Sequence, residues 1–111
     1  MQIIRAADLP HDRITHDFVG RDHGGIPFTF LIVDAAPGDG PKLHRHQYPE
    51  VFIILEGEMT ATVDDETGRV DPGNVVIVPA GAAHKFVNSG TGRLRQVDIH
   101  ASDHFITEWL E

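Results

Sequence analysis

The sequence predicts an all-β fold, an antiparallel barrel or sandwich, and three observations support this prediction. Short segments rich in β-branched and aromatic residues follow one another along most of the chain. The clusters between them contain the Gly, Pro and Asp that sharp chain reversals require. No long helical pattern separates the segments, so antiparallel pairing is favoured over a parallel sheet with helical crossovers.

Strands are predicted in chain order at residues 27–33, 51–55, 59–63 and 75–78, where Val, Ile, Thr and Phe dominate. Turn clusters are predicted at residues 24–25, 37–41, 64–68, 71–73 and 89–92. With 111 residues, the chain is expected to fold as one domain with one modest core.

A short C-terminal helix is predicted at roughly residues 103–110. Ser102 is a suitable N-cap, and Asp103 would lie in the first helical turn. The apolar residues that follow fall on one helical stripe, which would cover an end or edge of the barrel: Phe105, Ile106, Trp109 and Leu110.

Composition excludes several classes of protein. The formal net charge of −8 argues against nucleic acid or an anionic membrane surface as a partner. The chain has no cysteine, which excludes disulfides, thiolate zinc sites and a cysteine nucleophile. The longest apolar run, residues 51–55, is too short to span a bilayer, and no signal segment is visible at the N-terminus. A cytoplasmic protein is therefore expected.

Two spaced motifs contain the residues that point to function. The first motif has the pattern G-x5-H-x-H-x3-E-x6-G and consists of Gly38, His44, His46, Glu50 and Gly57. The second motif has the pattern G-x5-P-x-G-x2-H-x3-N and consists of Gly73, Pro79, Gly81, His84 and Asn88. Side chains on a strand alternate faces, so the two histidines of the first motif point the same way.

Three imidazoles and one carboxylate form a candidate metal site. Glu50 has the parity of His44 and His46, although the bend at Pro49 makes parity an unreliable guide there. His84 follows at a distance that suits a second hairpin folding back over the first. This donor set suits one Fe, Mn, Ni, Zn or Cu ion. The alternative is a set of unrelated histidines, but a buried unpaired glutamate would then be costly.

The two motifs resemble those of the cupin superfamily, and the short stretch between them is typical of small single-domain, metal-binding cupins of the conserved-barrel type. The resemblance implies one cupin domain over residues 1–111, with motif one at 38–57 and motif two at 73–88. It implies a jelly-roll barrel (a double-stranded β-helix) of six to eight strands. It further implies one divalent metal on His44, His46, Glu50 and His84, and a homodimer joined through edge strands.

The segment at residues 94–101 alternates polar and apolar residues. Gln96, Asp98 and His100 share one face, and Val97 and Ile99 share the other. Either the polar trio meets solvent, or it lines the cavity near the metal while a partner subunit or the C-terminal helix covers the apolar pair.

The end of this segment resembles the last strand of small cupins that open unsaturated uronate rings. In those proteins an aspartate on that strand acts as acid/base, a role that Asp98 would inherit. They tend to have a glutamine where Glu50 stands and an arginine near His104. Asp98 and His100 are therefore the candidate catalytic residues.

Three functions are compatible with these features. The first is a metal-dependent dioxygenase-type enzyme acting on a small organic substrate. The second is a metal-assisted sugar or uronate isomerase or lyase, in which Asp98 or His100 moves the proton. The third is a non-catalytic small-molecule-binding protein with a structural metal.

Overall fold

The computed structural model describes residues 1–111 and shows two antiparallel five-stranded sheets facing each other. One sheet has the strand order β1-β2-β9-β4-β7 and the other the order β10-β3-β8-β5-β6. The strands are β1 Thr15–Val19, β2 Thr29–Ala35, β3 His44–His46, β4 Glu50–Glu56, β5 Met59–Val63, β6 Glu66–Val70, β7 Val75–Val78, β8 His84–Asn88, β9 Leu94–His100 and β10 Thr107–Trp109. Two single-turn 3-10 helices, Ala6–Asp8 and Gly20–Asp22, complete the structure. The predicted all-β jelly-roll barrel is confirmed, with ten strands instead of six to eight.

Alternation along the strands places the apolar core between the sheets. In β4, Phe52 and Ile54 are buried, whereas Val51 and Ile53 on the other face are half-buried. The core contains ten buried residues: Val33, Ala35, Phe52, Ile54, Met59, Ala61, Val78, Ala82, Phe86 and Leu94. This core fills one end of the barrel, and polar side chains occupy the inner face at the other end.

The hairpin between β5 and β6 is tighter than the predicted turn at 64–68. Only Asp64 and Asp65 form the turn, because Val63 already pairs with Glu66. Asp64 adopts a φ of 52°, which a two-residue hairpin turn requires and which Asp tolerates. Its carboxylate accepts a hydrogen bond from the Ala83 N–H at 3.0 Å, which ties the hairpin to the residue before His84.

Gly57 shows why motif one ends in glycine. Its φ is 90°, and a Cβ at this position would lie 2.3 Å from the carbonyl oxygen of Arg93. Any side chain there would force β4 away from the start of β9.

The predicted C-terminal helix is wrong. Residues 107–109 form strand β10, which pairs antiparallel with β3, so that Thr107 lies opposite His46 and Trp109 opposite His44. The physical reason is that β3 would otherwise be an edge strand with unpaired backbone groups. Pairing with β10 satisfies these groups, and Arg45 and Glu108 add a bidentate cross-strand ion pair at 2.8 and 3.0 Å.

No helix in the structure is long and apolar enough to cross a membrane.

Candidate metal centre

The two motifs bring their four candidate ligands together at the polar end of the barrel. His44 on β3 lies directly opposite His84 on β8, His46 follows two residues further along β3, and Glu50 faces them from β4 in the other sheet. One potential ligand atom from each of the four residues lies within 4.8 Å of the others, and all four residues are buried. The Pro49 bend therefore preserves the inward parity of Glu50.

Backbone carbonyl groups fix the orientation of all three imidazole rings. The Nδ1 atoms of His44 and His84 lie 2.7 and 2.9 Å from the carbonyl oxygens of the residues two positions earlier, Lys42 and Ala82. His46 Nδ1 lies 3.0 Å from the Ile106 carbonyl oxygen. Because a carbonyl oxygen accepts hydrogen bonds only from a donor, each Nδ1 carries a proton. In the neutral rings, each Nε2 then presents a lone pair to the centre.

These lone pairs and the carboxylate fit a cation. Glu50 Oε2 lies 3.0 Å from His84 Nε2 and 3.4 Å from His46 Nε2. Neutral imidazoles offer no proton for these contacts, so acceptor would face acceptor. The Nε2 atom of His46 is buried and has no hydrogen-bond partner, because its contact with Glu50 lacks the geometry of a hydrogen bond. A divalent transition metal would satisfy all four acceptors at once.

The pKa shifts at the site reflect a carboxylate anion surrounded by buried imidazoles. Burial opposes ionisation of Glu50, but its contacts with His100, His46 and His84 outweigh burial and hold the pKa of Glu50 well below its usual range. Burial lowers the pKa of His44 to about 4. Burial would also lower the pKa of His84, but its hydrogen bond to Glu50 prevails and raises it. Without a metal, a proton on His84 would partly replace the cation.

His100 lies beside the four ligand candidates and orients one of them. Its Nδ1 is 2.7 Å from the Tyr48 hydroxyl, and its Nε2 is 2.9 Å from Glu50 Oε1. When the hydroxyl donates to Nδ1, the Nε2–H donates to Oε1, which leaves Oε2 as the oxygen facing the other imidazoles. His100 therefore acts on the carboxylate, whereas sequence analysis assigned it only a catalytic role.

Tyr48 was missed by sequence analysis. It is buried, burial raises its pKa to about 12, and its ring stacks on that of His46 at 4.9 Å. A buried tyrosine usually finds a partner for its hydroxyl. The position of Tyr48 inside motif one, between two candidate ligands, was the available signal.

The polar trio of β9 faces the interior of the barrel. Gln96, Asp98 and His100 are all buried, whereas Val97 and Ile99 are half-buried on the outer face. The trio therefore faces the interior of the barrel and not solvent. Burial, followed by the charge of Glu50, raises the pKa of Asp98 well above its usual range. Its Oδ1 accepts a hydrogen bond from the Gln96 amide at 2.7 Å.

A cavity of about 500 Å³ opens next to these residues. Three candidate ligands and both candidate catalytic residues line it: His44, His46, Glu50, Asp98 and His100. Aromatic and aliphatic side chains form much of the remaining wall, so the polar groups converge in a mainly apolar pocket, the usual form of a small-molecule site.

Comparisons with known proteins agree with this fold. Solved structures with a similar fold include a variant of oxalate decarboxylase from Bacillus subtilis, with a TM-score of 0.83 and 20% identity, covering 96% of this chain and 31% of that chain. Another is oxalate oxidase in complex with the substrate analogue glycolate, with a TM-score of 0.70 and 20% identity, covering 78% of this chain and 47% of that one. At these identities the likeness shows the fold alone.

Curated relatives match over shorter stretches. An uncharacterized protein of Streptomyces coelicolor is 44% identical over 54 residues, which are 49% of this chain and 50% of that protein. Quercetin 2,3-dioxygenase of Bacillus subtilis is 33% identical over 60 residues, covering 51% of this chain and 18% of the relative. The chain spans half or less of the length of the curated relatives it matches. The family model described as the Cupin domain matches residues 31–100, which include both motifs and all four candidate ligands. The chain therefore belongs to the cupin family.

Proposed function

We propose that this cupin domain binds one divalent transition metal through His44, His46, Glu50 and His84 and is a metal-dependent enzyme of the dioxygenase type. One observation supports the proposal above all: three Nε2 lone pairs and one carboxylate oxygen converge within 4.8 Å, beside a cavity of about 500 Å³. When bound, a metal such as Fe or Mn would supply Lewis acidity and redox chemistry at the cavity wall.

The chain's own residues have separate roles under this proposal. The three histidines direct their Nε2 atoms to the centre because backbone carbonyls accept hydrogen bonds from their Nδ1 atoms. His100 holds Glu50 through Oε1 and so keeps Oε2 directed at the centre. Burial and the charge of Glu50 raise the pKa of Asp98, which makes it a candidate to exchange a proton with a substrate atom.

One curated relative supports oxygen chemistry over the alternatives: quercetin 2,3-dioxygenase of Bacillus subtilis. One structural neighbour, oxalate decarboxylase of Bacillus subtilis, is described as containing Mn(II) centres. The stretch shared with quercetin 2,3-dioxygenase is 60 residues long, so the relative's activity enters here as support for a proposal.

The second candidate function, a metal-assisted isomerase or lyase, rests on Asp98. A buried carboxylic acid beside a metal site is the group that would shuttle a proton between neighbouring carbons without oxygen. The third, a non-catalytic binding protein, requires only the metal and the cavity.

Oxygen dependence separates these functions. We expect metal-loaded protein to turn over at least one member of a panel of catechols, small diketones and uronates, consuming O2 in step with product. An oxygen electrode with parallel product analysis measures both. Turnover that continues at the same rate under strict anaerobiosis would replace the dioxygenase with the isomerase or lyase. Binding without turnover in either atmosphere would support the non-catalytic alternative.

We also propose that the protein is a homodimer formed through the outer face of the β1-β2-β9-β4-β7 sheet. Strand register gives this face two cross-strand rows in which nine of ten side chains are apolar: Phe18, Phe30, Ile99, Val51 and Ile77, and His16, Ile32, Val97, Ile53 and Val75. The outer face of the other sheet contains mostly polar side chains, including Arg45, Thr60, Thr62, Lys85, Arg69 and Glu108.

A second copy of the same face is the occupant that fits best. Its two rows contain no Lys, Arg, Asp or Glu, so these rows offer no charge that would select a charged partner. Residues of the N-terminal segment meet Phe18, Phe30 and Ile32 at one side of the face, and the other strands leave an apolar surface of the kind that monomers rarely expose. At the β7 edge, Ile77 is 71% and Val75 57% exposed.

Sedimentation equilibrium tests the dimer. We expect a mass of twice 12.2 kDa at micromolar concentration, and we expect Ile77→Lys to shift the protein toward monomer. Thr62→Lys, a control on the outer face of the other sheet, should leave the mass unchanged. A monomeric wild-type protein would contradict this assignment.

A further inference from the structure

The walls of the metal-site cavity are unusual in the sign of their charged side chains. Carboxyl groups from four residues line it: Asp12, Asp17, Glu50 and Asp98. No Lys or Arg is among its lining residues. The nitrogen-bearing side chains there are the uncharged indole of Trp109 and the imidazoles of His44, His46 and His100, which are occupied by the metal-site contacts described above.

Two of these carboxyl groups share one cross-strand row. Asp17 on β1 lies opposite Leu31 on β2, and Leu31 lies opposite Asp98 on β9. The row that contains His100 and Glu50 is two residues further along the same strands. At about 3.4 Å per residue, the two rows are roughly 7 Å apart. A small molecule that contacts the metal site therefore reaches the row of Asp17 and Asp98.

Buried acceptor atoms without a hydrogen-bond partner lie at this end of the barrel, and a cation and hydrogen-bond donors would satisfy them. His46 Nε2 belongs to a side chain that is only 3% exposed, and it lacks a partner. Asp17 Oδ1 is also buried without a hydrogen-bond partner. Asp98 receives one protein hydrogen bond, from Gln96. Buried oxygen atoms of this kind are normally satisfied by a donor, and a ligand hydroxyl group supplies one.

The rest of the wall is suited to an apolar body. Leu31 lies between Asp17 and Asp98 in their cross-strand row, and Phe52 lies on the other side of Asp98. Phe105 and Trp109 also line the cavity. An aromatic or aliphatic skeleton packs against these side chains without leaving polar groups unpaired.

We infer that the cavity selects neutral, hydroxyl-bearing molecules with an apolar body over dianionic dicarboxylates, and that Asp17 and Asp98 determine this specificity. The inference rests on the proposed metal site. Apart from the metal, the cavity has carboxyl groups and no cationic side chain, so the metal alone would offset the two negative charges of a dianion. A neutral hydroxylated ligand adds no net charge, wherever its hydroxyl protons come to lie. The chain would thus differ in substrate class from the oxalate-named proteins that share its fold.

Catechol and oxalate form a matched pair of probes. Each presents two oxygen atoms in a five-membered chelate to a cation, but catechol is neutral and oxalate dianionic at pH 7. Calorimetric titration of Zn²⁺-loaded protein without oxygen should show catechol binding at least about tenfold tighter than oxalate. In the double variant Asp17→Asn, Asp98→Asn, this ratio should fall about tenfold or more, because oxalate gains affinity and catechol loses acceptors.

Several outcomes would overturn the inference. These are wild-type protein that binds oxalate as tightly as catechol, wild-type protein that binds metal but neither probe, and a ratio that the variant leaves unchanged. Zinc binding is measured first in the same samples, so failure to bind zinc would contradict the metal site and not the selectivity. If the double variant does not fold, as judged by circular dichroism, Asp17→Asn alone should lower the ratio by at least about threefold. An unchanged ratio in that single variant overturns the assignment of Asp17.

Discussion

His84→Ala is expected to reduce the affinity for divalent transition metals by more than about 100-fold, beyond the 10- to 100-fold typical of residues that only support a ligand. His84 is 1% exposed, lies on β8 directly opposite His44, and has its Nε2 atom 3.0 Å from Glu50 Oε2. Its loss removes one of three nitrogen donors and leaves Glu50 with an incomplete set of partners. Competition titration against a chromogenic chelator measures the affinity.

His11→Ala serves as the matched control for this substitution. His11 is exposed, contacts the His16 ring at 5.0 Å, and contributes nothing to the group of four. The control should therefore keep the wild-type affinity. If His84→Ala and His11→Ala bind metal equally well, metal binds somewhere other than the two motifs.

Metal removal is expected to lower the melting temperature by roughly 10–20 °C at pH 7. A ligand present at 100 times its Kd stabilises the folded state by about 2.7 kcal/mol, and one kcal/mol shifts the melting temperature of a domain this size by about 4–8 °C. Acidification should reduce the difference, because protons compete with metal for Nε2. The raised pKa of His84 makes it the first ligand lost, whereas His44, with a pKa of about 4, stays neutral longer.

Paired melts with and without EDTA, at half-unit steps from pH 7 to pH 5, test this linkage. The metal-dependent part of the stability should be larger near pH 7 than near pH 5, where most of it should be lost. A melting temperature that responds to neither EDTA nor pH would mean that the metal contributes nothing to folding.

Much of the fold and site could be predicted because local signals and tertiary structure agree. Residues 59–63 and 75–78 were predicted to be strands and form strands with the same bounds. Their Val, Ile and Thr content suits a half-buried pleated surface. The motif spacing placed the two histidines of β3 on one face, and β8 brings His84 opposite. These features depend on periodicity of two and on turn residues, which a sequence displays directly.

The C-terminal strand could not be predicted because its stability comes from a distant partner. The residues at 103–110 fit a helical stripe, but β3 offers an unpaired edge that a short strand satisfies. The role of His100 was hidden for a similar reason. Alternation showed that it shares a face with Asp98, while its contact with Tyr48 spans 52 residues of sequence. Contacts between residues this far apart in the sequence can be identified only from the folded structure.

The metal content of protein purified without an affinity tag tests the central claim most directly. Elemental analysis should find close to one transition-metal ion per chain in the wild-type protein, either as isolated or after reconstitution with a single divalent metal and removal of excess. His84→Ala treated in the same way should retain almost none. Wild-type protein that remains free of metal after reconstitution would contradict the account, because the converging imidazoles and Glu50 would then need another explanation.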